Sequence, residues 1–246
     1  MKLEIQAVCH KGLVRENNED AVSVGGYLLR DDTIDLRVST SEEGVFYLLV
    51  SDGMGGHEMG EEASRYTLER IREQFQAHLV RPDSLEEDLR ETVSDISAKL
   101  NRRGLELGQS HPMGCTLTGV VWSYGHIWLL NAGDSRTYRF REGLLRQLTT
   151  DETERGITGN PQAGKLLLNC IGGGSEGRLT VEKLDGKLLD GDMLLLCSDG
   201  LTDMVSEEEI ESSLERGEEA ADLLRKACDA GGADNISLVL AKVSDL

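Results

Sequence analysis

Several residue types are scarce in this 246-residue chain, and each scarcity excludes a class of protein. With only three prolines and 39% hydrophobic residues, the sequence excludes wholesale disorder and has enough apolar side chains for a packed core. No apolar run approaches the roughly 18 residues that a membrane-spanning helix needs. Residues 1–6 also lack the apolar segment of a secretory signal. We therefore expect no membrane partner and a cytoplasmic location.

Cysteine is too sparse and too scattered for a disulfide framework. The five cysteines are odd in number and include no C-x-x-C pair. Buried reduced thiols are the expected state, which again indicates the cytosol. The residues are Cys9, Cys115, Cys170, Cys197 and Cys228.

Basic residues are also few. The chain has 26 Lys and Arg but 45 Asp and Glu, which gives a formal net charge of −19. A chain with this net negative charge repels nucleic acid and anionic lipid. We therefore expect neither as a partner. Acidity alone does not identify a metal site, since most surface carboxylates are simply solvated. The length suits one medium-sized domain over residues 1–246, and nothing in the sequence indicates an obligate assembly, so we expect a monomer.

Strand-length apolar or alternating runs recur along the chain, and two of the breaks between them are short enough to be hairpin turns. These turns lie at Tyr124-Gly125 and at residues 141–143. The runs are 3–8, 20–29, 45–50, 116–122, 126–132, 136–140, 179–184, 193–198 and 236–243.

Helical periodicity appears in fewer segments. An apolar stripe with four-residue spacing predicts a helix over residues 59–79, and a second stripe runs from Leu85 to Leu100 after a Ser84/Glu87 capping box. Ser206 and Glu209 repeat the capping pattern, and a last helix precedes Gly231-Gly232. Long helices among many strands predict an α+β fold in which helices cover sheets.

Aspartates lie repeatedly at the ends of predicted strands. In an antiparallel sheet, the end of one strand and the start of its neighbour share an edge, so these side chains can meet at one rim. For any single position, an ordinary Asp-Gly turn is the simpler explanation. Asp52, Asp134 and Asp199 follow strands, and Asp20 and Asp234 precede them.

Convergence of five carboxylates has an electrostatic cost that favours bound cations. Two carboxylates about 4 Å apart repel by about 4 kcal/mol at an effective dielectric near 20. Several such pairs would approach the whole stability of a domain, about 5–15 kcal/mol. Carboxylates and a carbonyl beside Gly53 suit Mg²⁺ or Mn²⁺. Zinc does not fit, because the histidines form no H-x-H or H-E-x-x-H pair.

An ordered set of motifs resembles the metal-dependent protein phosphatases, the type 2C serine/threonine phosphatases, in their compact bacterial form. The set spans residues 15 to about 241, and its order makes it far more specific than any one motif. The motifs are Arg15-x-x-Asn18-Glu19-Asp20, residues 51–57 (SDGMGGH), Gly114-x-Thr116, residues 131–136 (NAGDSR), Leu148-Thr149-x-Asp151, residues 198–203 (SDGLTD) and Asp234-Asn235-Ile236.

The resemblance implies a four-layer α-β-β-α sandwich with two central antiparallel sheets. It also implies hydrolysis of phosphoserine and phosphothreonine by a water or hydroxide that bridges two ions, with phosphorylated proteins and a Ser/Thr kinase as partners. Arg15 would bind the substrate phosphate, and His57 is a candidate general acid, with a structural or solvent-facing histidine as the alternative.

The same resemblance assigns metal ligands. Asp52 would bridge both ions, with the Gly53 carbonyl on one and Asp199 with Asp234 on the other. Glu19 and Asp20 would act on the Gly53 side, directly or through water. A weaker third site would use Asp134 with Asp199 or Asp203.

This sequence departs from the family pattern around the substrate-facing flap. Glu152-Thr153 stand where the family usually has His-Ser, and residues 155–169 form a shortened, glycine-rich flap. The altered flap keeps one alternative function open, and a second alternative does not depend on the flap. One is a catalytically silent regulator that binds phosphoproteins. The other is a structural calcium protein, although no EF-hand spacing supports it.

Overall fold

The computed structural model describes residues 1–40, 44–55, 58–76, 84–107, 113–160, 162–164 and 166–245. The strands are β1 Lys2–His10, β2 Ala21–Val24, β3 Tyr27–Leu29, β4 Asp32–Ser39, β5 Val45–Ser51, β6 Gly53–Met54, β7 Gly114–Cys115, β8 Leu117–Ser123, β9 His126–Ala132, β10 Arg136–Arg141, β11 Leu144–Gln147, β12 Ile171–Gly172, β13 Thr180–Lys183, β14 Met193–Cys197 and β15 Ile236–Ser244. The helices are α1 Glu58–Gln76, α2 Leu85–Glu106, α3 Glu154–Thr158, α4 Asp199–Thr202, α5 Glu207–Glu215 and α6 Ala220–Asp229.

Within these residues the strands form two six-stranded sheets and a small third one. The first sheet has the order β11-β10-β14-β15-β1-β4 and the second has β13-β9-β8-β5-β2-β3. Their neighbouring strands pair antiparallel throughout. The third sheet, β12-β7-β6, lies where β5 leads into α1. The two hairpin turns expected at 124–125 and 141–143 are both confirmed.

Three apolar clusters show how the layers stack. One cluster joins α1 and α2 to the second sheet, a second fills the space between the two sheets, and a third joins α4, α5 and α6 to the first sheet. The alternation in β15 explains this arrangement. Val239, Ala241 and Val243 face the other sheet, whereas Leu238 and Leu240 face the helices. The expected α-β-β-α sandwich is confirmed.

The long helices follow the apolar stripes, although one of the caps differs from the prediction. Leu85, Leu89, Val93, Ile96 and Leu100 of α2 are all buried, at about 2 kcal/mol for each large aliphatic side chain.

The Ser84/Glu87 capping box is wrong, because the Ser84 hydroxyl donates to the Asp88 carboxylate instead, at 2.7 Å. Ser206 does cap α5, accepting from the Glu209 amide at 3.3 Å.

Several features were not expected from the sequence. The run 20–29 is a hairpin of β2 and β3, with a turn at Gly25-Gly26, and β4 was missed as a strand. The flap segment forms α3 and then returns, so that the Leu168 amide donates to the Glu152 carbonyl at 2.8 Å.

Two further observations concern the state of the cysteines and the length and apolarity of the helices. None of the five cysteines is in a disulfide; four of them are buried and Cys228 is half-buried. Across the described ranges, no helix has the length and apolarity required to cross a bilayer.

Candidate metal centre

Strand pairing in the second sheet brings two of the acidic positions together. Ala21, the first residue of β2, pairs with Ser51, the last residue of β5. Asp20 immediately precedes that pair and Asp52 immediately follows it, so both lie at one end of the sheet. The prediction from strand-end position therefore holds for the location of this pair.

The first sheet contributes acids to the same rim. Cys197 at the end of β14 pairs with Leu238 near the start of β15, so that Asp199 and Asp234 lie at neighbouring strand ends. Asp199 then begins α4, and Asp134 lies in the turn between β9 and β10.

A cavity of about 450 Å³ lies where these strand ends from both sheets meet. Arg15 is the cationic residue among the described residues that line it. The predicted site residues on its wall are Arg15, Glu19, Asp52, Gly53, Asp134, Asp199 and Asp234.

Asp20 lies beneath this cavity rather than on its wall. Its side chain is fully buried, Oδ2 accepts from the Ser198 hydroxyl at 2.8 Å, and Oδ1 has no hydrogen-bond partner among the described residues. Burial raises the pKa of Asp20 to about 7; the Ser198 hydroxyl opposes this rise, and the nearby charges of Asp199 and Asp234 add to it. A buried oxygen without a partner fits a carboxylate that completes its interactions with a cation or water.

Of the other predicted residues, Asp203 is not among those lining the cavity, and His57 is not described. Asp203 lies one turn beyond Asp199, with its amide donating to the Asp199 carbonyl at 2.7 Å, and it is absent from the described part of the wall. His57 lies outside the described residues, so its role stays a prediction.

Thr116, the residue before β8, holds the backbone of Asp52 and connects it through Ser135 to the turn that carries Asp134. Thr116 binds both backbone groups of Asp52: Oγ1 accepts from the amide at 3.0 Å, and the Thr116 amide donates to the carbonyl at 2.8 Å. The Thr116 hydroxyl also lies 2.6 Å from that of Ser135, the residue after Asp134. The backbone at Asp52 is therefore fixed at both of its polar groups.

Close backbone approach explains the glycine at position 53. A Cβ there would overlap the Gly60 carbonyl of α1, and the Gly53 amide donates to the Glu19 carbonyl at 3.1 Å. Asn235 fixes Glu19 from the other side, because its Oδ1 accepts from the Glu19 amide at 2.8 Å. The loop before β2, the end of β5 and the start of β15 are thus locked together.

The rim is electrostatically unfavourable without counter-charge. Loss of hydration raises the pKa of Asp52 well above its usual range, and the carboxylates of Asp20 and Asp199 add to the rise. Burial, followed by the charges of Asp199 and Asp151, raises the pKa of Asp134 to about 7. The Arg15 guanidinium offsets part of this charge through an ion pair with Asp234 at 2.7 Å.

The donor set fits hard divalent cations, with water completing the coordination. All candidate donors are carboxylate or carbonyl oxygens, which Mg²⁺ and Mn²⁺ prefer. Among the described residues, however, no three Asp, Glu, His or Cys side chains are already gathered as ligands around one point. Carboxylates spaced around a cavity match ions that retain several waters, as Mg²⁺ usually does.

Glu152 contributes to the site but was not predicted from the sequence. Its Oε2 accepts from the Gly133 amide at 2.8 Å and from the Asn169 side chain at 2.6 Å, so it ties the turn before Asp134 to the end of the flap. The sequence feature that could have identified Glu152 is its presence where the family usually has a histidine.

Comparison with known proteins identifies the family of this chain. A family model described as protein phosphatase 2C matches residues 25–239. The serine/threonine protein phosphatase PstP of Mycobacterium tuberculosis is 33% identical over 270 residues, covering 99% of this chain and 45% of the relative. This chain thus spans less than half of that relative's length. The serine/threonine phosphatase stp of Listeria monocytogenes is 29% identical over 249 residues, covering 94% of this chain and 92% of the relative.

Solved structures show the same fold. The serine/threonine phosphatase of S. agalactiae superposes with a TM-score of 0.79 at 25% identity, covering 98% of this chain and all of that one. The catalytic domain of PstP, solved in complex with two manganese ions, gives a TM-score of 0.76 at 30% identity, covering 99% and 100%. With its matched family model, its acidic rim and its two-sheet sandwich, the chain belongs to the protein phosphatase 2C family.

Proposed function

We propose that this protein is a divalent-cation-dependent protein phosphatase that hydrolyses phosphoserine and phosphothreonine. The observation that carries the proposal is the single cavity in which Asp52, Asp134, Asp199 and Asp234 face one arginine. Relatives named as serine/threonine phosphatases support the same assignment. The expected substrates are phosphorylated proteins, and the expected counterpart is a Ser/Thr kinase. The single catalytic domain, the monomeric state and the cytoplasmic location remain predictions.

The candidate ligands come from both sheets. Asp52 with the Gly53 carbonyl, supported by Glu19 and Asp20, would hold one ion on the side of the second sheet. Asp199 and Asp234 would share the other ion with Asp52 on the side of the first sheet, and Asp134 is the candidate for a third. The ions, when bound, supply counter-charge for these carboxylates and an activated water for attack on phosphorus.

Arg15 is the candidate phosphate-binding residue of this cavity. Its guanidinium is half-exposed at the cavity wall and pairs with Asp234. An arginine in this position can turn its planar fork to a substrate phosphate, which it binds bidentately. Arg15 would therefore orient the phosphoryl group and balance charge that develops on its oxygens.

Hydrolysis of a phosphothreonine peptide tests the assignment. We expect phosphate release with Mn²⁺, loss of release with excess EDTA, and a loss of about a hundredfold to a thousandfold in Asp52→Asn, as is typical when a charge-stabilising catalytic group is removed. Undiminished turnover in excess chelator would refute the proposal. Tight peptide binding with no phosphate release would indicate the silent regulator, and stabilisation by Ca²⁺ with no Mn²⁺-dependent turnover would indicate the structural calcium protein.

A further inference from the structure

Glu152 lies beside the acidic cavity without lining it. We define the acidic cavity as the space of about 450 Å³ whose wall carries the predicted metal ligands, among them Asp134. Glu152 is half-buried at the start of the flap and is not among the described residues on that wall. The groups that Glu152 contacts therefore decide what it can do for the site.

Glu152 binds both polar backbone groups of Gly133, the residue before Asp134. Its Oε2 accepts from the Gly133 amide at 2.8 Å, and its own amide donates to the Gly133 carbonyl at 3.0 Å. Gly133 has a φ of +106°, and a Cβ there would lie 2.8 Å from Cγ2 of Thr116. Because glycine has the greatest backbone freedom of any residue, this turn needs outside contacts to hold one conformation.

The residue before Glu152 holds the other side of the same turn. The Asp151 carboxylate accepts from Arg136, two residues after Asp134, at 2.9 Å from Nε and 2.6 Å from Nη2. Residues 151 and 152 thus hold the chain on both sides of Asp134. The Asp134 side chain reaches the acidic cavity from between these two anchor points.

Glu152 also joins this turn to the far end of the flap. Its Oε2 accepts from Nδ2 of Asn169 at 2.6 Å, and its Oε1 accepts from the Thr180 hydroxyl at 3.4 Å. Its carbonyl accepts from the Leu168 amide at 2.8 Å. The carboxylate therefore accepts from three donors, counting the Gly133 amide. A neutral histidine, the usual family residue here, has one acceptor nitrogen and cannot replace all three bonds.

We propose that Glu152 is a positioning residue for Asp134, which it holds on the wall of the acidic cavity by fixing the Gly133 backbone. The proposal rests on the proposed phosphatase function, in which Asp134 is the candidate ligand of a third ion. Positioning requires a hydrogen-bond acceptor at the right distance from the Gly133 amide. Direct binding of an ion or transfer of a proton by Glu152 would instead require its negative charge.

Two substitutions separate reach from charge. Glu152→Gln keeps an oxygen for the donors of Gly133 and Asn169, and its NH₂ group can donate to the Thr180 hydroxyl. Glu152→Asp keeps the charge but is shorter by one carbon, about 1.5 Å, and so loses its reach to the Gly133 amide. Positioning predicts wild-type behaviour for the glutamine variant and a loss for the aspartate variant. A role for the charge predicts the reverse.

Binding of Mn²⁺ to the full chain, read from the EPR signal of the free ion, measures the effect without turnover. We expect Glu152→Asp to weaken the weakest class of Mn²⁺ site about tenfold, as loss of a group that orients a metal ligand usually does. Glu152→Gln should bind as the wild type does. The matched control is Glu182→Ala, on an exposed position of β13, which should leave binding unchanged. Melting temperatures in EDTA establish that each variant is folded.

A double-mutant cycle with Asp134→Ala tests whether Glu152 acts through Asp134. If it does, Glu152→Asp causes no further loss of Mn²⁺ affinity once Asp134 is removed, and the double variant matches Asp134→Ala within about twofold. The kcat/KM for a phosphothreonine peptide should show the same non-additivity. Losses that multiply, no loss in Glu152→Asp, or a loss in Glu152→Gln as large as that in Glu152→Asp would overturn the proposal.

Failure of the phosphatase function gives a different pattern. In that case wild-type protein releases no phosphate from the peptide, while Mn²⁺ binding still reports on Glu152 and Asp134. A non-additive loss of Mn²⁺ affinity in the cycle supports the positioning role in a non-catalytic protein, and additive losses exclude it.

Discussion

Asp52 lies among carboxylates that are costly to keep together. Burial raises its pKa and the charges of Asp20 and Asp199 add to the rise, while Oδ1 of the fully buried Asp20 has no hydrogen-bond partner among the described residues. Arrangements of this kind reduce the free energy of unfolding unless a cation compensates, so they are retained for function.

We predict that Asp52→Asn exchanges activity for stability. Removal of one charge from the rim should raise the melting temperature of the chelated protein, by about 2–4 °C for each kcal/mol of repulsion relieved. Mn²⁺ should stabilise the wild type and have little effect on the variant. Differential scanning fluorimetry with Mn²⁺ or EDTA measures both effects.

The control for this substitution is Asp95→Asn, because Asp95 is exposed on α2 away from the rim. It should preserve both the Mn²⁺ response and the turnover. If Asp52→Asn retained the full Mn²⁺ response, Asp52 would not be a ligand.

A buried ion pair far from the cavity gives a pH-dependent prediction. Asp192 is 1% exposed and accepts from Arg141 at 2.6 and 2.7 Å and from the Leu189 amide at 2.9 Å. Burial alone would raise the pKa of Asp192, but these hydrogen bonds outweigh it and hold the pKa below its ordinary value. The stabilisation is therefore present above about pH 4 and is lost as pH falls through the lowered folded-state pKa.

We accordingly expect Asp192→Asn to lower the free energy of unfolding by about 2 kcal/mol at pH 7. The difference from wild type should shrink below about pH 4, because there the unfolded chain takes up a proton on this carboxylate before the folded state does. Urea unfolding at pH 7, 5 and 3 measures it, with Asp245→Asn, an exposed partner of Lys2, as the control. A difference that stays constant across this range would contradict the assignment.

At the scale of secondary-structure elements, the sequence predicted the features that depend on residues close together in the chain. The apolar stripe of α2 and the turns at 124–125 and 141–143 follow from residues that are neighbours in the chain. β4 was missed although Ile34, Leu36 and Val38 alternate, because it is an edge strand whose other positions are exposed and polar.

The candidate site was predictable in part for the same reason. Positions 20 and 52 can be grouped from strand ends, since β2 and β5 pair directly. Their meeting with Asp199 and Asp234 depends on how one sheet packs on the other, which no local pattern encodes. Asp203 belongs to the same sequence motif as Asp199 but is not among the described residues that line the cavity. It lies one helical turn after Asp199, at the end of α4.

The junction of α4 with β15 gives a prediction about packing. A Cβ on Gly200 would overlap the carbonyl oxygen of Asn235, which is backbone and cannot move aside cheaply. We expect Gly200→Ala to cost about 3 kcal/mol in unfolding free energy, the upper range for overpacking. The matched control is Gly26→Ala, where nothing lies within 4 Å of the added carbon. Equal stabilities of the two variants would show that α4 adjusts freely.

At the scale of the whole molecule, the cavity joins two sheets whose other contacts are mainly between apolar side chains. Glu19, Asp20 and Asp52 adjoin strand ends of the second sheet, whereas Asp199 and Asp234 adjoin strand ends of the first. A cation shared between them would act as a cross-link, and ligand binding at 100 times its Kd adds about 2.7 kcal/mol to the stability of the folded state.

This cross-link predicts a global rather than a local effect of metal removal. Addition of EDTA to the Mn²⁺-loaded protein should increase amide hydrogen exchange in β14 and β15 as well as in β2 and β5. Exchange measured with and without EDTA, read by peptide mass, reports each strand. Faster exchange in one sheet alone would contradict a shared ion.

The central claim is that carboxylates from both sheets hold the same pair of ions. A crystal soaked in Mn²⁺, with anomalous difference maps recorded at the manganese edge, measures this directly. We predict two manganese peaks within ligating distance of oxygens from Asp52, Asp199 and Asp234, with Asp52 contacting both. Peaks on separate faces of the molecule, or none in the cavity at millimolar Mn²⁺, would contradict the account.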